Sequence, residues 1–575
     1  MKKKTLKNSI LGYGYVTQVG DAVISFTGLP KCFMGEVIVF NTPNDMDIIG
    51  SVASLPDPTD IKAILVKGSQ SALNPGVKVF RTYGRLQTKV GFGMLGKIVT
   101  TLGDLVDVDE YADKKYDLLN EGLNIEYTNI SARSPSIIER ETVATPFFTG
   151  VSTVDCFTPI GCGQRQLIIG DFNTGKTSLA LTMLLNQRYI INFVDKVWRG
   201  LENKLTISFS SRALKFMPCI FVAIGKRRSE VLRLKRVLQS FNAMYFTTVI
   251  FTSSEDLPAL QFFAPFAGCS MGEWFRSRAY NALVIFDDLS QHAVAYRQIT
   301  LLLRIPPGRE AYPGDIFYVQ AKLLERGAQL SKQFGSGSLT ILPLIETKGG
   351  DISAYIPTNV ISITDGQIFL SSNIINAGLR PGVNIGLSVS RVGSKAQYNC
   401  VKYVSKKIKR DYILYKTYEG LSKISSDMDP TLLSYVNRGL IILKYLSQKL
   451  YKTVKLFKQV ITFYCLSEGL FDGIDVSYLG IYFELYFKGY FLSDYLENNE
   501  ELFKYLMNRN AEFVESLLIA SSIEPSLKEI GFLSRLFSNF FKSEIYVRMN
   551  TNEVYYNLVL IALKSNIVLR SGISS

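Results

Sequence analysis

An apolar run, a glycine-rich turn and a helical run follow one another without interruption between residues 166 and 187. That succession constrains the fold more than any other feature. The turn reads Gly170-Asp171-Phe172-Asn173-Thr174-Gly175-Lys176-Thr177, a match to G-x-x-x-x-G-K-[ST] in the strand–loop–helix setting the motif requires. Glycines let the backbone close around an anion with successive N–H groups pointing inward, and the helix opening at Ser178 adds partial positive charge. Such a cradle suits the phosphates of a nucleotide. Lys176 is expected on the β- and γ-phosphates, and the Thr177 hydroxyl on Mg²⁺. The ligand implied is Mg-ATP or Mg-ADP.

A site of this kind needs an acid at the end of a second buried strand. Residues 282–288 (ALVIFDD) supply it, and Asp287 is the candidate for the water shell of the metal. Around these motifs the chain has three textures. Residues 11–84 hold short β-rich runs (36–40, 61–66, 77–83) between glycine and proline turns, the pattern of a small barrel or sandwich. Residues 85–397 alternate buried strands (166–169, 219–224, 246–251, 282–286) with helical segments such as 229–241, which predicts a parallel sheet covered by helices. Residues 398–575 read as helical, clearest at 430–450, 500–508 and 553–563. Residues 1–10 are a short basic segment, and 192–217, mixed in charge and without periodicity, are expected to form an insertion loop.

Composition narrows the function classes. The balance of 64 Lys and Arg against 50 Asp and Glu leaves a formal charge of +14, but the cations are scattered, with small clusters at 2–4 and 406–410. A single histidine, His292, removes most His-based triads and His-rich metal sites. It reads as structural. Seven cysteines with no C-x-x-C pair read as reduced, buried thiols. No run approaches the ~18 apolar residues of a membrane helix, since Glu484 and Lys488 interrupt the nearest candidate at 478–492. The first ten residues lack the apolar core of a secretory signal. The abundance of Phe (36) and Tyr (31), together with Lys and Ile, is that of an AT-rich coding sequence, which suggests an organelle genome or a bacterium.

Four further stretches carry a resemblance: 264–276 (APFAGCSMGEWFR), 305–315 (IPPGREAYPGD), 355–367 (YIPTNVISITDGQ) and 380–394 (RPGVNIGLSVSRVGS). With the phosphate loop, they closely resemble the F-type ATP synthase alpha subunits, from about Tyr13 to Gly439. The resemblance implies a multidomain fold with an N-terminal β-barrel, a central RecA-like α/β domain and a C-terminal α-helical domain. It implies a hexameric ring alternating with catalytic beta subunits around a central-stalk gamma subunit, held by peripheral-stalk subunits. Membrane contact would come only through that complex, and no nucleic acid is implied. The expected place is the matrix face of the mitochondrial inner membrane, with a plastid thylakoid or bacterial plasma membrane as the alternative. The family's N-terminal extension, which docks the peripheral stalk, is mostly missing before Leu11.

The resemblance also assigns roles. Arg391, in Ser390-Arg391-Val392-Gly393-Ser394, is expected to reach a neighbour's γ-phosphate as an arginine finger, with Ser388 setting the geometry of its segment. Gln448 matches one of two glutamines near the adenine, while Leu450 replaces the other, and Asn173 replaces a glutamine in the loop. The similar catalytic subunits carry a water-orienting carboxylate in Gly-Glu-Arg. Here the stretch is Gly225-Lys226-Arg227, and Lys226 departs even from the glutamine usual in alpha subunits. A cation there is no general base at neutral pH, so the chain is expected to bind ATP and turn it over poorly. Lys226 is expected to touch a phosphate, the alternative being solvent. The competing classes, a hexameric RNA-translocating motor or an export-apparatus ATPase, would each need the glutamate that Lys226 displaces.

Overall fold

The computed structural model describes residues 13–29, 31–42, 48–57, 60–106, 125–201, 216–422 and 430–467. Six strands open the described chain: β1 (Tyr13–Val19), β2 (Val23–Thr27), β3 (Glu36–Asn41), β4 (Ile48–Asp57), β5 (Asp60–Lys67) and β6 (Lys78–Arg85). They close into an antiparallel barrel in the order β1-β2-β5-β4-β3-β6. Two-residue periodicity fills it: Ile38 and Phe40 of β3 point inward among Ile24, Phe26, Ile61, Leu65 and Val79. Glu36 is wholly buried but balanced, with both carboxylate oxygens bonded to the Arg81 guanidinium at 2.9 and 2.8 Å. Of the two architectures open to the first texture, this is the barrel.

Between barrel and sheet, β7 (Gln87–Val90) pairs with β9 (Glu126–Asn129), and β10 (Pro146–Phe147) with β11 (Ile160–Gly161). The central sheet comprises β8 (Ile98–Val99), β12 (Leu167–Asp171), β13 (Cys219–Lys226), β14 (Thr247–Ser253), β15 (Asn281–Asp287), β16 (Ser338–Thr347), β17 (Gly366–Leu370) and β18 (Val389–Ser390). Its order is β18-β17-β12-β16-β15-β13-β14-β8, parallel throughout except for β18. Continuous apolar runs such as Cys219–Lys226 are what a sheet covered on both faces demands, and that strand is buried from Cys219 to Ile224. One cover is the helix Pro258–Ser277, whose Ala264, Ala267, Met271 and Phe275 join the core under Val222, Val284 and Ile341. His292 is buried on the helix Leu289–Leu302 and stacks on Phe262, ring centroids 5.2 Å apart. Cys32, Cys162, Cys219 and Cys269 are buried thiols whose acidity burial suppresses.

One expectation is corrected here. The helix that follows the phosphate loop spans Lys176–Leu201, so it runs into the segment read as a loop from residue 192. No proline interrupts it, and the first glycine, Gly200, comes only at its end. Residues 202–215 lie outside the described residues.

After Gln397 the described chain is helical: Asn399–Ser422, Pro430–Leu446 and Leu456–Ser467. These helices lie in a second compact unit, while 449–453 belong to the first. Ile408, Tyr415, Ile442 and Phe463 are buried, and Tyr445 meets Phe463 edge to face at 5.3 Å. The helical runs at 500–508 and 553–563 lie outside the described residues. Among the described residues, no helix is long and apolar enough to cross a membrane.

Candidate functional site

Parallel strands deliver their carboxyl ends to one edge of a sheet, where open α/β folds place ligands. Here β12, β16, β15 and β13 are consecutive neighbours, and each ends in a polar residue of the site. From β12 comes the loop Gly170–Thr177. Gly175 holds it open with φ of +78° and nothing within 4 Å of where a side chain would begin. The Lys176 ammonium donates to the carbonyls of Gly170 (2.9 Å) and Asp171 (2.7 Å) and lies 3.9 Å from the Glu346 carboxylate at the end of β16. Burial lowers its proton affinity, against the opposing pull of Glu346, Asp288 and Asp287. The Asp171 carboxylate ties the loop to the end of β16 by accepting from Thr347 Oγ1 and the Gly350 N–H, both at 2.7 Å. Thr174 donates to the Asp171 carbonyl at 2.7 Å. Asn173 takes a left-handed φ of 60°, and Phe172 is exposed. Ser178, in the first helical turn, accepts from Thr182 through its carbonyl at 2.7 Å.

Asp287 stands at the end of β15. One of its oxygens accepts from Thr177 Oγ1 at 3.0 Å, and the other lies 3.1 Å from the Lys226 ammonium. Lys226 therefore points neither into solvent nor away from the acid expected to serve the metal: it is that acid's salt-bridge partner. The cause is local. β13 and β15 stay in register to Ala223 and Asp287, after which β13 is offset against β14. At that point Gly225 adopts a φ of +61°. Burial opposes the Lys226 charge, yet Asp287, with help from Asp288 and Glu230, raises its proton affinity above the ordinary value. Asp288 caps the helix Leu289–Leu302 by accepting from Ser290 N–H at 2.8 Å, and burial pushes its carboxyl up to about 6.

These residues fit a magnesium nucleotide. The cradle is open at Gly175, the Thr177 hydroxyl and the Asp287 carboxylate meet beside it, and the Lys176 and Lys226 ammonium groups lie against Glu346 and Asp287. Among the described residues no three His, Cys, Asp or Glu side chains cluster as a metal cage; Mg²⁺ characteristically takes few protein ligands plus phosphate oxygens and water. Thr177 and Asp287 would hold the ion, which would supply charge neutralisation. The carboxylates around the cradle are all engaged: Asp171 by Thr347 and Gly350, Asp287 by Thr177 and Lys226, Asp288 by Ser290, and Glu346 beside Lys176.

Arg391 is elsewhere. Ser390 pairs with Gly366, the amino-terminal residue of β17, which runs parallel to β12 from the Leu167↔Gln367 pair. The phosphate loop leaves the carboxyl end of β12, so Arg391 and the loop lie at opposite ends of these strands, on the order of 13 Å of strand apart. The Arg391 guanidinium is exposed, with long bonds to the carbonyls of Ser362 (3.4 Å) and Ile361 (3.3 Å). Its backbone is firmly held: the Arg391 N–H donates to the Asp365 carbonyl at 2.8 Å. Ser388 is buried, donating to the Asn384 carbonyl (2.6 Å) and accepting from Phe369 N–H (2.9 Å). Its hydroxyl thus clips the segment to β17. Gln448 is partly buried in the second unit.

Sequence reasoning missed the pins. Gln164 and Gln166 are fully buried. The Gln164 amide donates to Gln166 (2.8 Å) and Ser390 (3.3 Å), and that of Gln166 to the Val389 carbonyl (3.2 Å). Two amides leading into an apolar strand were the available signal. Glu346 was missed too, although it ends an apolar run as Asp287 does.

Comparisons with known proteins agree with this geometry. Residues 150–390 match the family model for the nucleotide-binding domain of the ATP synthase alpha/beta family, and residues 397–527 that for the C-terminal domain of the ATP synthase alpha/beta chain. The chain is 42% identical over 467 residues to ATP synthase subunit alpha of Neorickettsia sennetsu (strain ATCC VR-367 / Miyayama), covering 81% of this chain and 85% of that one. It is 40% identical over 464 residues to that of Orientia tsutsugamushi (strain Boryong), covering 81% and 84%. To that of Rickettsia canadensis (strain McKiel) it is 42% identical over 454 residues, covering 78% and 82%. With its barrel, parallel nucleotide-binding sheet and helical C-terminal unit, this chain belongs to the F-type ATP synthase alpha-subunit family.

Proposed function

We propose that this chain is the non-catalytic, nucleotide-holding member of an alternating hexameric head, and that it lends Arg391 to the active site of a neighbouring beta subunit. The observation that carries the reading is the placement of Arg391 at the end of the sheet opposite its own phosphate loop. A guanidinium there has no way to serve the γ-phosphate bound by the same chain. Exposed at its tip and pinned at its backbone, it suits the diffuse negative charge of phosphoryl transfer on another subunit. The non-catalytic half rests on Lys226, which stands on Asp287 where a water-orienting carboxylate belongs.

In this reading Mg²⁺ and ATP or ADP bind at Gly170–Ser178 with Thr177 and Asp287. The head surrounds a rotating central gamma stalk, is held by a peripheral stalk, and couples ATP synthesis to proton transport as a peripheral part of a membrane complex. Its assignment to the mitochondrial inner membrane rests on composition alone, and the relatives named above are bacterial.

Mixing the chain with its beta partner and weighing the product by native mass spectrometry tests the proposal. A six-membered alternating assembly is expected. A chain that stays monomeric beside a ring-competent partner would contradict it.

A further inference from the structure

We propose that Lys226 is a resident cation of this nucleotide site, so that the chain holds a nucleoside di- or triphosphate with little dependence on a divalent metal. The inference rests on the nucleotide-binding reading above and concerns what completes the charge around the phosphates.

The geometry is that of a shared carboxylate. Asp287 offers one oxygen to the Thr177 hydroxyl at 3.0 Å and the other to the Lys226 ammonium at 3.1 Å. Hydroxyl and carboxylate are the two protein groups that draw Mg²⁺ to a phosphate loop. Here the negative charge of the carboxylate is already balanced by an ammonium within contact. A divalent ion arriving beside Thr177 meets that positive charge at close range in a partly buried setting, where like charges repel strongly.

Lys226 is also held in place. Its side chain is 24% exposed, less than a solvated surface lysine, and the left-handed turn at Gly225 directs it toward β15. An ammonium has three donors. One satisfies Asp287, and the others can meet phosphate oxygens alongside Lys176. The same cation therefore weakens the metal's hold and replaces its neutralising charge.

Calorimetric titration of the full-length chain with ADP and with ATP, in excess Mg²⁺ and in excess EDTA, tests the inference. The expected change in wild-type affinity between the two conditions is less than about threefold, because the coupling between metal and nucleotide is small. In Lys226→Gln, which keeps a polar end group but removes the charge, the expected loss in EDTA is about tenfold or more. Lys226→Arg is expected to behave as wild type. A wild-type chain that loses affinity tenfold or more in EDTA overturns the inference, as does a Lys226→Gln chain with the wild-type ratio. The wild-type ratio decides alone if the variant does not fold. Absence of binding in both conditions would instead overturn the nucleotide-binding reading itself.

Discussion

The two ends of the central sheet are built on opposite principles. At the carboxyl end, charges are answered from within: Lys176 by loop carbonyls and Glu346, Asp171 by Thr347 and Gly350, Asp287 by Thr177 and Lys226. At the amino end the backbone around Arg391 is pinned by buried Gln164, Gln166 and Ser388, while the guanidinium lies exposed with long bonds to two carbonyls. A self-satisfied cluster suits holding a ligand. A rigid support with an exposed cationic tip is incomplete by itself, and it suits completing something else.

The sharpest way to break this comparison is to remove the tip. Arg391→Ala should slow ATP hydrolysis by the assembled complex by ~10³-fold or more, while nucleotide affinity measured on this chain alone stays as in wild type. Equal loss of both would place Arg391 at the carboxyl end after all.

Next comes a pH effect confined to the carboxyl-end helix. Burial holds the His292 imidazole down to about 4, against the smaller pull of the Phe262 backbone carbonyl that raises it. Its folded proton affinity is below the unfolded one, so its share of stability is complete above about pH 6.5 and lost as pH falls toward 4, about 3 kcal/mol in all. Asp288, raised to about 6 by burial, works in the opposite sense, since it costs stability as pH rises from the ordinary carboxylate range through 6. Denaturant titrations of His292→Phe between pH 4 and 7 should therefore lack the histidine's contribution and keep that of the aspartate. An unchanged pH profile would mean that the imidazole titrates alike in the folded and the unfolded chain.

Lys176→Ala should weaken nucleotide binding to this chain by about 100-fold, the loss of a charge-assisted contact to phosphate, yet leave most of the turnover of the complex. Equilibrium binding and steady-state hydrolysis on one preparation check both halves. Complete loss of turnover with the assembly intact would make this site catalytic.

Smallest is Ser388→Ala. It removes two hydrogen bonds worth about 1 kcal/mol net each and should lower turnover of the complex by about five- to tenfold by loosening the Arg391 segment. Nucleotide affinity should not move.

What was legible from sequence follows the same divide. The phosphate loop could be read because one short stretch carries the strand, the turn and the helix. Asp287 could be read because an acid closing a buried run is a local signal. The pairing of Lys226 with Asp287 is not local: it depends on β13 and β15 being neighbours and on the offset at Gly225. The role of Gln164 and Gln166 likewise appears only when β18 is laid beside β17, bringing residues more than two hundred positions apart into contact. Barrel strands at 36–40, 61–66 and 77–83 are legible within a residue or two, since glycine and proline turns bound each short β-rich run. The full length of the helix is not legible, because mixed charge without periodicity reads as a loop from residue 192, although no breaker intervenes before Gly200.

Phosphate release by the purified full-length chain, saturated with Mg-ATP and with bound nucleotide counted in the same sample, probes the central claim most directly. One nucleotide retained per chain, with no steady release of phosphate, is the predicted result. Sustained multiple turnover by the chain alone would contradict it.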